Sequence, residues 1–277
     1  MKKIIVPIDF SEHSEYALLA AAKLAKKNGA EVLALHMLEM SDVLLTKSDS
    51  EQQQKAMFFL KLVEQKFETF LDKPYLKDVR VKPIIKHFKV FSELNNVAKE
   101  HNADLIVMGS HGASGVKEFF VGSNTERVVR YADVPVLVIK NKISNIDFGT
   151  VVFVTNFDES CVKSYLKAVK MFDVLGTKLK LLYVNLPNEL FRSSVEIENK
   201  IAAFLMNADG NLDKLNDVAY QADYTVEQGV INYSNKVGAD LIAISTHGRT
   251  GISHFFAGSI GEDLVNHSSL PVITFKI

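Results

Sequence analysis

A chain of 277 residues has room for two ordinary domains, and its net charge of −1 excludes the broad basic surface that nucleic-acid-binding proteins use. The first apolar run is too short for a signal peptide, and no segment has the length of a membrane span. The single cysteine, Cys161, has no partner for an internal disulfide. We therefore expect a cytoplasmic protein that binds neither a membrane nor a nucleic acid.

Strands and helices alternate along the first half of the chain. A run of β-branched residues predicts a strand that ends at Asp9, after which Ser11 caps a helix that stops at Gly29. The later elements, in chain order, are predicted as a strand at 31–37, a helix at 52–71, a strand at 79–86, a helix at 91–100, a strand at 105–108, a helix at 123–131 and a strand at 135–140. Continuously apolar strands in this order predict an α/β fold with a doubly wound parallel sheet.

The second half of the chain repeats the first. Residues 239–276 align without a gap with residues 103–140, at an offset of 136, and the glycines recur at the same spacing. Residues 151–155 match residues 4–8 at an offset of 147. Repetition of glycines at fixed positions indicates a requirement of the backbone, because core residues drift freely between apolar types. The repeat predicts two tandem domains, at 1–141 and 148–277, joined by a short polar linker.

The two offsets differ, so the first half carries 11 more residues than the second between Gly29 and Asp104. We expect this extra length around residues 39–51, in the loop before the long helix and at the start of that helix. It is either an elongated surface loop, which proteins tolerate easily, or a lid.

A glycine-rich loop follows the fourth predicted strand, with the pattern Gly109-x2-Gly112-x9-Gly122-Ser123. In a doubly wound sheet, ligands lie beyond the carboxyl ends of the strands, where glycines let the backbone N–H groups approach. The helix that begins at Ser123 adds its free N–H groups and positive dipole end, and Ser123 and Thr125 add hydroxyls. The pattern predicts a phosphate cradle, although glycines in such a loop can also serve only a tight turn and helix packing.

Asp9 ends the first strand at the same edge of the sheet. A carboxylate there disfavours phosphate, but it accepts hydrogen bonds from ribose hydroxyls or from an adenine amino group. Together with the glycine loop, Asp9 therefore predicts a nucleotide as the ligand, with its base and sugar near Asp9 and its phosphates near residues 112–125.

Four segments in this order resemble the universal stress protein family in its tandem two-domain form: VPIDFSEHSEYAL, ADLIVMGSHG, the spaced glycines and PVLVIK. The resemblance covers nearly the whole chain. It implies two Rossmann-like domains, each with a five-stranded parallel sheet, and association through the last strand. Pairing of the two last strands within one chain would make a pseudo-dimer, and two chains could associate further as a homodimer.

The resemblance also implies ATP binding in members that keep the glycine motif. Carried over position by position, the ATP contacts of the first domain are Pro7, Ile8, Asp9, Met37, Met108, Gly109, His111, Gly112, Gly122, Ser123, Asn124 and Thr125. From the residues alone, His111 is as well suited to capping the strand end as to contacting phosphate.

The second half departs from the family pattern at its candidate site. Asn156 stands in place of Asp9, Ser245 in place of Gly109, and Gly261 in place of Thr125. The positions that remain suited to a weaker second site are Asn156, Gly248, Gly258 and Ser259. We expect this second site to be weaker than the first or empty.

Three functions are compatible with these patterns. The first is an ATP-binding stress-response regulator in which nucleotide occupancy acts as a switch. The second is a slow ATP hydrolase using Mg²⁺, although no Walker lysine follows the glycines and no carboxylate cluster stands ready for the metal. The third is an interaction module without a ligand. Scattered histidines predict no protein-bound metal site, and Cys161 is interpreted as a packing residue.

Overall fold

The computed structural model describes residues 1–38, 49–86, 92–111, 122–142, 148–246 and 259–277. The elements of the first half are β1 (Lys3–Pro7), α1 (Glu12–Asn28), β2 (Glu31–Met37), α2 (Asp49–Leu71), β3 (Arg80–Lys86), α3 (Ser92–His101), β4 (Leu105–Gly109), α4 (Ser123–Tyr131) and β5 (Val136–Ile139). The predicted order is confirmed, and the largest change of a helix boundary is the earlier start of α2.

The second half contains the same sequence of elements. They are β6 (Thr150–Val154), α5 (Val162–Leu175), β7 (Lys178–Asn185), α6 (Ser194–Asp209), β8 (Ala219–Ala222), α7 (Val226–Val237), β9 (Leu241–Thr246), α8 (Ser259–His267) and β10 (Val272–Lys276). Lys3 pairs with Glu31 in one half and Thr150 with Lys178 in the other, which confirms the offset of the early repeat. None of the described helices has the length and hydropathy needed to span a bilayer.

The ten strands in the described part of the chain form one sheet, in the order β3-β2-β1-β4-β5-β10-β9-β6-β7-β8. Neighbouring strands within each half are parallel, which confirms the predicted five-stranded parallel sheets. The halves meet where β5 and β10 pair antiparallel, with Val138 opposite Val272 and Leu137 opposite Ile273. Because this central pairing is antiparallel, the carboxyl ends of the strands face opposite ends of the sheet in the two halves.

Helices cover both faces of the sheet, as a doubly wound fold requires. Alternate residues of β1 point to opposite faces, so Ile4 and Val6 join one buried cluster and Ile5 the other. Helices α1, α2, α5 and α6 contribute to the first cluster, and α3, α4, α7 and α8 to the second. Because helices pack on both faces, the ends of the strands are the places where loops can contact a ligand.

The extra length of the first half lies partly in α2, which has 23 residues where its counterpart α6 has 16. This agrees with the prediction that the start of the long helix is extended. The lid proposed for the preceding loop falls on residues 39–48, which lie outside the described residues.

Strands β1 and β4 are neighbours in the sheet, and the order in which strands are added changes direction between them. From β1 the chain moves outward to β2 and β3, and it returns to the other side of β1 as β4. This is the switch point at which open α/β sheets bind ligands, because the loops that follow the two strands diverge there.

Candidate functional site

The loop after β1 holds the carboxylate of Asp9 at the surface of the first half. Asp9 Oδ1 accepts hydrogen bonds from the backbone N–H of Ser11 (3.0 Å) and from its hydroxyl (2.5 Å). Ser11 Oγ in turn accepts from the N–H of Ser14 (3.2 Å) and caps α1, as predicted. One short turn thus ends the strand, starts the helix and fixes the orientation of an exposed carboxylate.

Aromatic side chains beneath this turn hold it in place. Phe10 has a left-handed backbone (φ 64°), and its ring packs 4.8 Å from that of His36 and 5.2 Å from that of Phe67, centroid to centroid. His36 Nδ1 lies 2.7 Å from the carbonyl oxygen of Ile8, and because a carbonyl only accepts, Nδ1 carries the proton. Burial lowers the pKa of His36, which favours the neutral ring at pH 7.

The end of β4 lies against the first turn of α1. A Cβ on Gly109 would lie 2.7 Å from the carbonyl oxygen of His13 and 2.8 Å from its Cβ, so no larger residue fits without a shift of the helix. The two ends of the glycine loop are joined by a hydrogen bond from Gly122 N–H to the carbonyl of Ser110 (2.8 Å). Gly112 lies outside the described residues.

The helix α4 opens with its N–H groups toward the same edge of the sheet. Gly122 is its N-cap and supplies no capping side chain. The first hydrogen bond of the helix runs from the N–H of Glu126 to the carbonyl of Gly122 (3.1 Å). The N–H groups before Glu126 therefore have no acceptor within the helix. Ser123 and Asn124 are exposed there. Such a helix start favours an anion through its N–H groups and its dipole.

Thr125 has a different role from the one predicted for its hydroxyl. Its side chain is buried, with 3% of its surface exposed, and Oγ1 donates to the carbonyl of Gly109 (2.9 Å). The proton of the hydroxyl is therefore taken by the backbone, and Thr125 joins α4 to the end of β4. What it can still offer a phosphate is its backbone N–H.

Two histidines meet beside the glycine loop. His111 Nδ1 lies 2.9 Å from the hydroxyl of Ser110, and its ring is 5.0 Å from that of His13, centroid to centroid. The histidines looked scattered in the sequence, so the contact between His13 and His111 was not predicted. The available signal was Gly109, whose missing Cβ is what lets the first turn of α1 approach the strand.

The other predicted contacts surround the same edge. Pro7 and Met37, at the ends of β1 and β2, are half-buried. Ile8 and Met108 are 3% and 5% exposed and lie in opposite core clusters, so they can reach a ligand mainly through backbone atoms. The structure thus brings the described members of the predicted set to one edge, with Asp9, Ser123 and Asn124 as its exposed polar side chains.

In the second half, the counterpart of Asp9 is turned inward. Asn156 is 6% exposed, and its Oδ1 accepts from Asp158 N–H (3.1 Å) and from the thiol of Cys161 (3.2 Å). Its Nδ2 donates to the carboxylate of Asp158, which also pairs with Lys200 of α6 (2.6 Å). The amide is therefore occupied within its own loop. Burial raises the pKa of Cys161, which agrees with the packing role predicted for that thiol.

Ser245, the counterpart of Gly109, contacts the first helix of the second half. Ser245 Oγ lies 2.8 Å from Ser164 Oγ, and both side chains are buried. Where α1 begins at Glu12, the equivalent residues Glu159–Cys161 form a 3-10 turn, and α5 begins only at Val162. Gly248 and Gly258 lie outside the described residues, and Ser259 is the first residue of α8.

Protein ligands for a metal are not gathered anywhere in the part of the chain that the structure describes. No group of three or more histidine, cysteine, aspartate or glutamate side chains there has the geometry to hold an ion.

Comparison with known sequences finds one family twice along the chain. The sequence model described as "Universal stress protein family" matches it twice, at residues 1–140 and 147–276. The chain belongs to the universal stress protein family. It carries two universal stress domains in tandem, and the family resemblance found in the sequence is confirmed.

Individual members of the family resemble half of the chain at a time. Universal stress protein MJ0577 of Methanocaldococcus jannaschii is 34% identical over 161 residues, which cover 52% of this chain and 97% of that protein. Universal stress protein YxiE of Bacillus subtilis is 33% identical over 150 residues, covering 50% of this chain and 98% of that protein. These relatives correspond in length to one domain of the tandem.

Solved structures of comparable length share the complete fold. A universal stress protein from Archaeoglobus fulgidus matches with a TM-score of 0.64 at 22% identity, covering 99% of this chain and 98% of that one. A protein described as a universal stress protein from Pseudomonas aeruginosa matches with a TM-score of 0.64 at 13% identity, covering 100% and 93%. At these identities the likeness establishes the tandem fold and nothing finer.

Proposed function

We propose that this universal stress protein is an ATP-binding regulator whose nucleotide occupancy acts as a switch. The binding domain is residues 1–141, and residues 148–277 form a second domain with a degenerate site. The observation that carries the proposal is the contrast between Asp9, an exposed carboxylate at the switch point, and Asn156, which is buried and bonded within its own loop.

The chemistry of the edge suits the two ends of a nucleotide. The carboxylate of Asp9 would accept from the ribose hydroxyls, and the N–H groups at the start of α4 would bind the phosphates, assisted by Ser123 and Asn124. The described residues offer no metal-binding cluster, so any Mg²⁺ would be held mainly by the phosphates. The protein residues would orient the nucleotide and neutralise part of its charge.

Occupancy would act by joining two segments that follow separate strands. Asp9 belongs to the turn that starts α1, and Ser123 starts α4 on the opposite face of the sheet. A ligand bonded to both would stabilise the state in which they lie at their bound separation, and that differential affinity is what a switch requires. The intrachain pairing of β5 with β10 already uses the last strands, so a homodimer would need a different surface.

The test compares equivalent positions in the two domains. We expect purified protein to release close to one adenine nucleotide per chain on denaturation. Asp9→Ala should weaken ATP binding in calorimetry at least tenfold, because hydrogen bonds to charged groups contribute about 1.5–3 kcal/mol. The matched control Asn156→Ala should leave the affinity unchanged. Absence of binding by the wild type, or equal losses in both variants, would refute the proposal.

A second variant tests the phosphate end of the site. The φ of Gly122 is −58°, a value that any residue adopts, so a side chain there is tolerated by the backbone. We expect Gly122→Val to fold and to lose ATP binding, because its methyl groups would lie where phosphate approaches the helix. Binding retained by this variant would contradict the assignment. Rapid multiple turnover that Asp9→Ala abolishes would instead indicate an ATP hydrolase.

A further inference from the structure

A cleft of about 290 Å³ lies at the seam between the two halves, and none of its lining residues belongs to the proposed nucleotide site. Its apolar walls come from Met1, Val134 and Pro135 of the first half and from Met171, Val174 and Leu175 of α5. The residues from the first half precede β1 and β5, so they lie at the amino ends of the strands, whereas Asp9 lies at the carboxyl ends. The cleft is therefore separated from the nucleotide site by the length of the strands.

The charged side chains of the lining are two carboxylates and two ammonium groups, and the two carboxylates already have partners. Asp104 Oδ2 accepts from the backbone N–H groups of Lys2 (2.5 Å) and Lys3 (3.0 Å). Asp133 pairs with Lys276 (2.7 Å) and Lys99 (3.0 Å), and these ammonium groups hold the pKa of its carboxyl below the usual range. Both carboxylates in the lining are thus already bonded within the first half or across the seam.

Two ammonium groups on the opposite wall of the cleft have no carboxylate partner among the described residues. Lys167 and Lys170 project from α5 into the lining, and neither forms an ion pair with any residue that the structure describes. They lie three residues apart, which places them on one face of the helix, next to the apolar side chains of Met171 and Val174. An apolar wall beside two unmatched cations suits a ligand with an apolar body and an anionic head.

The equivalent seam on the other side of β5 and β10 lacks this combination. There Phe148, which is 5% exposed, stands at the position of Met1, and Ala20 stands at the position of Lys167. Lys27 replaces Val174, so the apolar wall is also interrupted. The cleft is consequently a feature of one seam of this chain and not a product of the repeated fold.

We propose that the seam cleft binds a small amphipathic monoanion, an aliphatic carboxylate whose chain lies against Met171 and Val174 and whose head group lies between Lys167 and Lys170. The ligand would contact both halves at once, so it would stabilise the seam. This site is independent of the proposed ATP site.

The probe is decanoate, titrated calorimetrically into the full-length protein, with decanol as the uncharged analogue. We expect saturable binding of about one decanoate per chain and much weaker binding of decanol. The double variant Lys167→Gln/Lys170→Gln should weaken decanoate binding about tenfold, because each exposed ion pair contributes up to about a factor of five. Lys163→Gln, which removes an exposed lysine of the same helix outside the lining, should have no effect.

A second variant and a competition complete the test. Val174 is 55% exposed, so Val174→Glu should fold, and its carboxylate should repel the decanoate head group. Saturating ATP should leave decanoate affinity unchanged. The proposal is overturned by the absence of saturable binding, by equal losses in Lys163→Gln, by decanol binding as tightly as decanoate, or by competition from ATP.

Discussion

Phe10 and its counterpart Phe157 share an unusual backbone. Their φ values are 64° and 56°, in the left-handed region that non-glycine residues enter at a cost of about 1–2 kcal/mol. Each ring compensates by packing, Phe10 against His36 and Phe67, and Phe157 against Phe204 at 5.2 Å. The repetition of this geometry in both halves shows that the turn belongs to the scaffold and not to the ligand.

Because the backbone of Phe10 is strained, we expect glycine to destabilise the protein less than alanine at this position, the reverse of the usual order. Phe10→Ala loses the ring but keeps the strained backbone, so we expect a loss of about 2–3 kcal/mol in unfolding free energy. Phe10→Gly loses the same contacts but relieves the strain, and it should be more stable than Phe10→Ala by about 1 kcal/mol. Urea denaturation of both variants measures the difference. A glycine variant less stable than the alanine variant would show that the backbone is not strained.

Sequence reasoning identified the polar residues of this turn but not its conformation. Asp9 and Ser11 were predictable because strand ends and helix caps favour specific side chains. The left-handed backbone was not predictable, because phenylalanine carries no local preference for it and the compensating contacts come from β2 and α2. The inward rotation of Asn156 was hidden for the same reason, since it depends on Asp158, Cys161 and Lys200 together.

Among the elements, the first helix of each half lies against one residue of a distant strand. Gly109 lets α1 begin at Glu12 and lie directly against β4, whereas Ser245 carries a side chain that bonds Ser164 below a 3-10 turn. The order of elements was predictable from apolar periodicity. The later start of α5 was not, and the contact between Ser164 and Ser245 beneath it joins residues 81 positions apart.

Substitution of these two residues should have unequal effects. Gly109→Ala introduces a Cβ 2.7 Å from the carbonyl oxygen of His13, so we expect a loss of about 1–3 kcal/mol in unfolding free energy and weaker ATP binding as α1 shifts. Ser245→Ala removes one hydrogen bond, and Ser164 Oγ keeps its bond to the carbonyl of Cys161 (2.8 Å), so a loss of about 1 kcal/mol is expected. Thermal and chemical unfolding, with calorimetry for ATP, compare the two. Equal losses would contradict the steric argument.

At the scale of the whole molecule, a lysine from each half binds the other half beside the central strands. Lys140 Nζ donates to the carbonyl of Asn266 (2.8 Å) and to that of Ser268, at the end of α8. Lys276 Nζ lies 3.5 Å from the carbonyl of Tyr131, at the end of α4, and 2.7 Å from the carboxylate of Asp133. The residue equivalent to Asp133 in the second half is Ser269, so Lys140 has no carboxylate at this position.

This asymmetry predicts a pH dependence that belongs to Lys140. Burial lowers its pKa from 10.5 to about 8. Between these values the unfolded chain holds a proton that the folded protein has released, so the free energy of unfolding rises with pH through this window. Stability relative to Lys140→Met should therefore shift in favour of the wild type between about pH 8 and pH 10.5. Chemical denaturation at several pH values measures this, with the exposed Lys142→Met as a control expected to show no trend.

A flat or falling difference would show that the carbonyl bonds of the charged ammonium outweigh its burial.

The sequence contained both lysines at equivalent positions of the repeat, but their partners lie in the opposite half. The repeat predicted two similar units. The three-dimensional arrangement shows that the two lysines contact different groups across the seam.

The antiparallel junction of β5 and β10 has a consequence for how such a protein can change over generations. When two identical chains associate, every substitution appears in both copies, so a loss at one ligand site is a loss at both. Joining the two units in one polypeptide removes that constraint. Asp9 can remain a carboxylate while its counterpart becomes Asn156, and one seam can carry Lys167 where the other has Ala20, while the shared ten-stranded sheet remains intact.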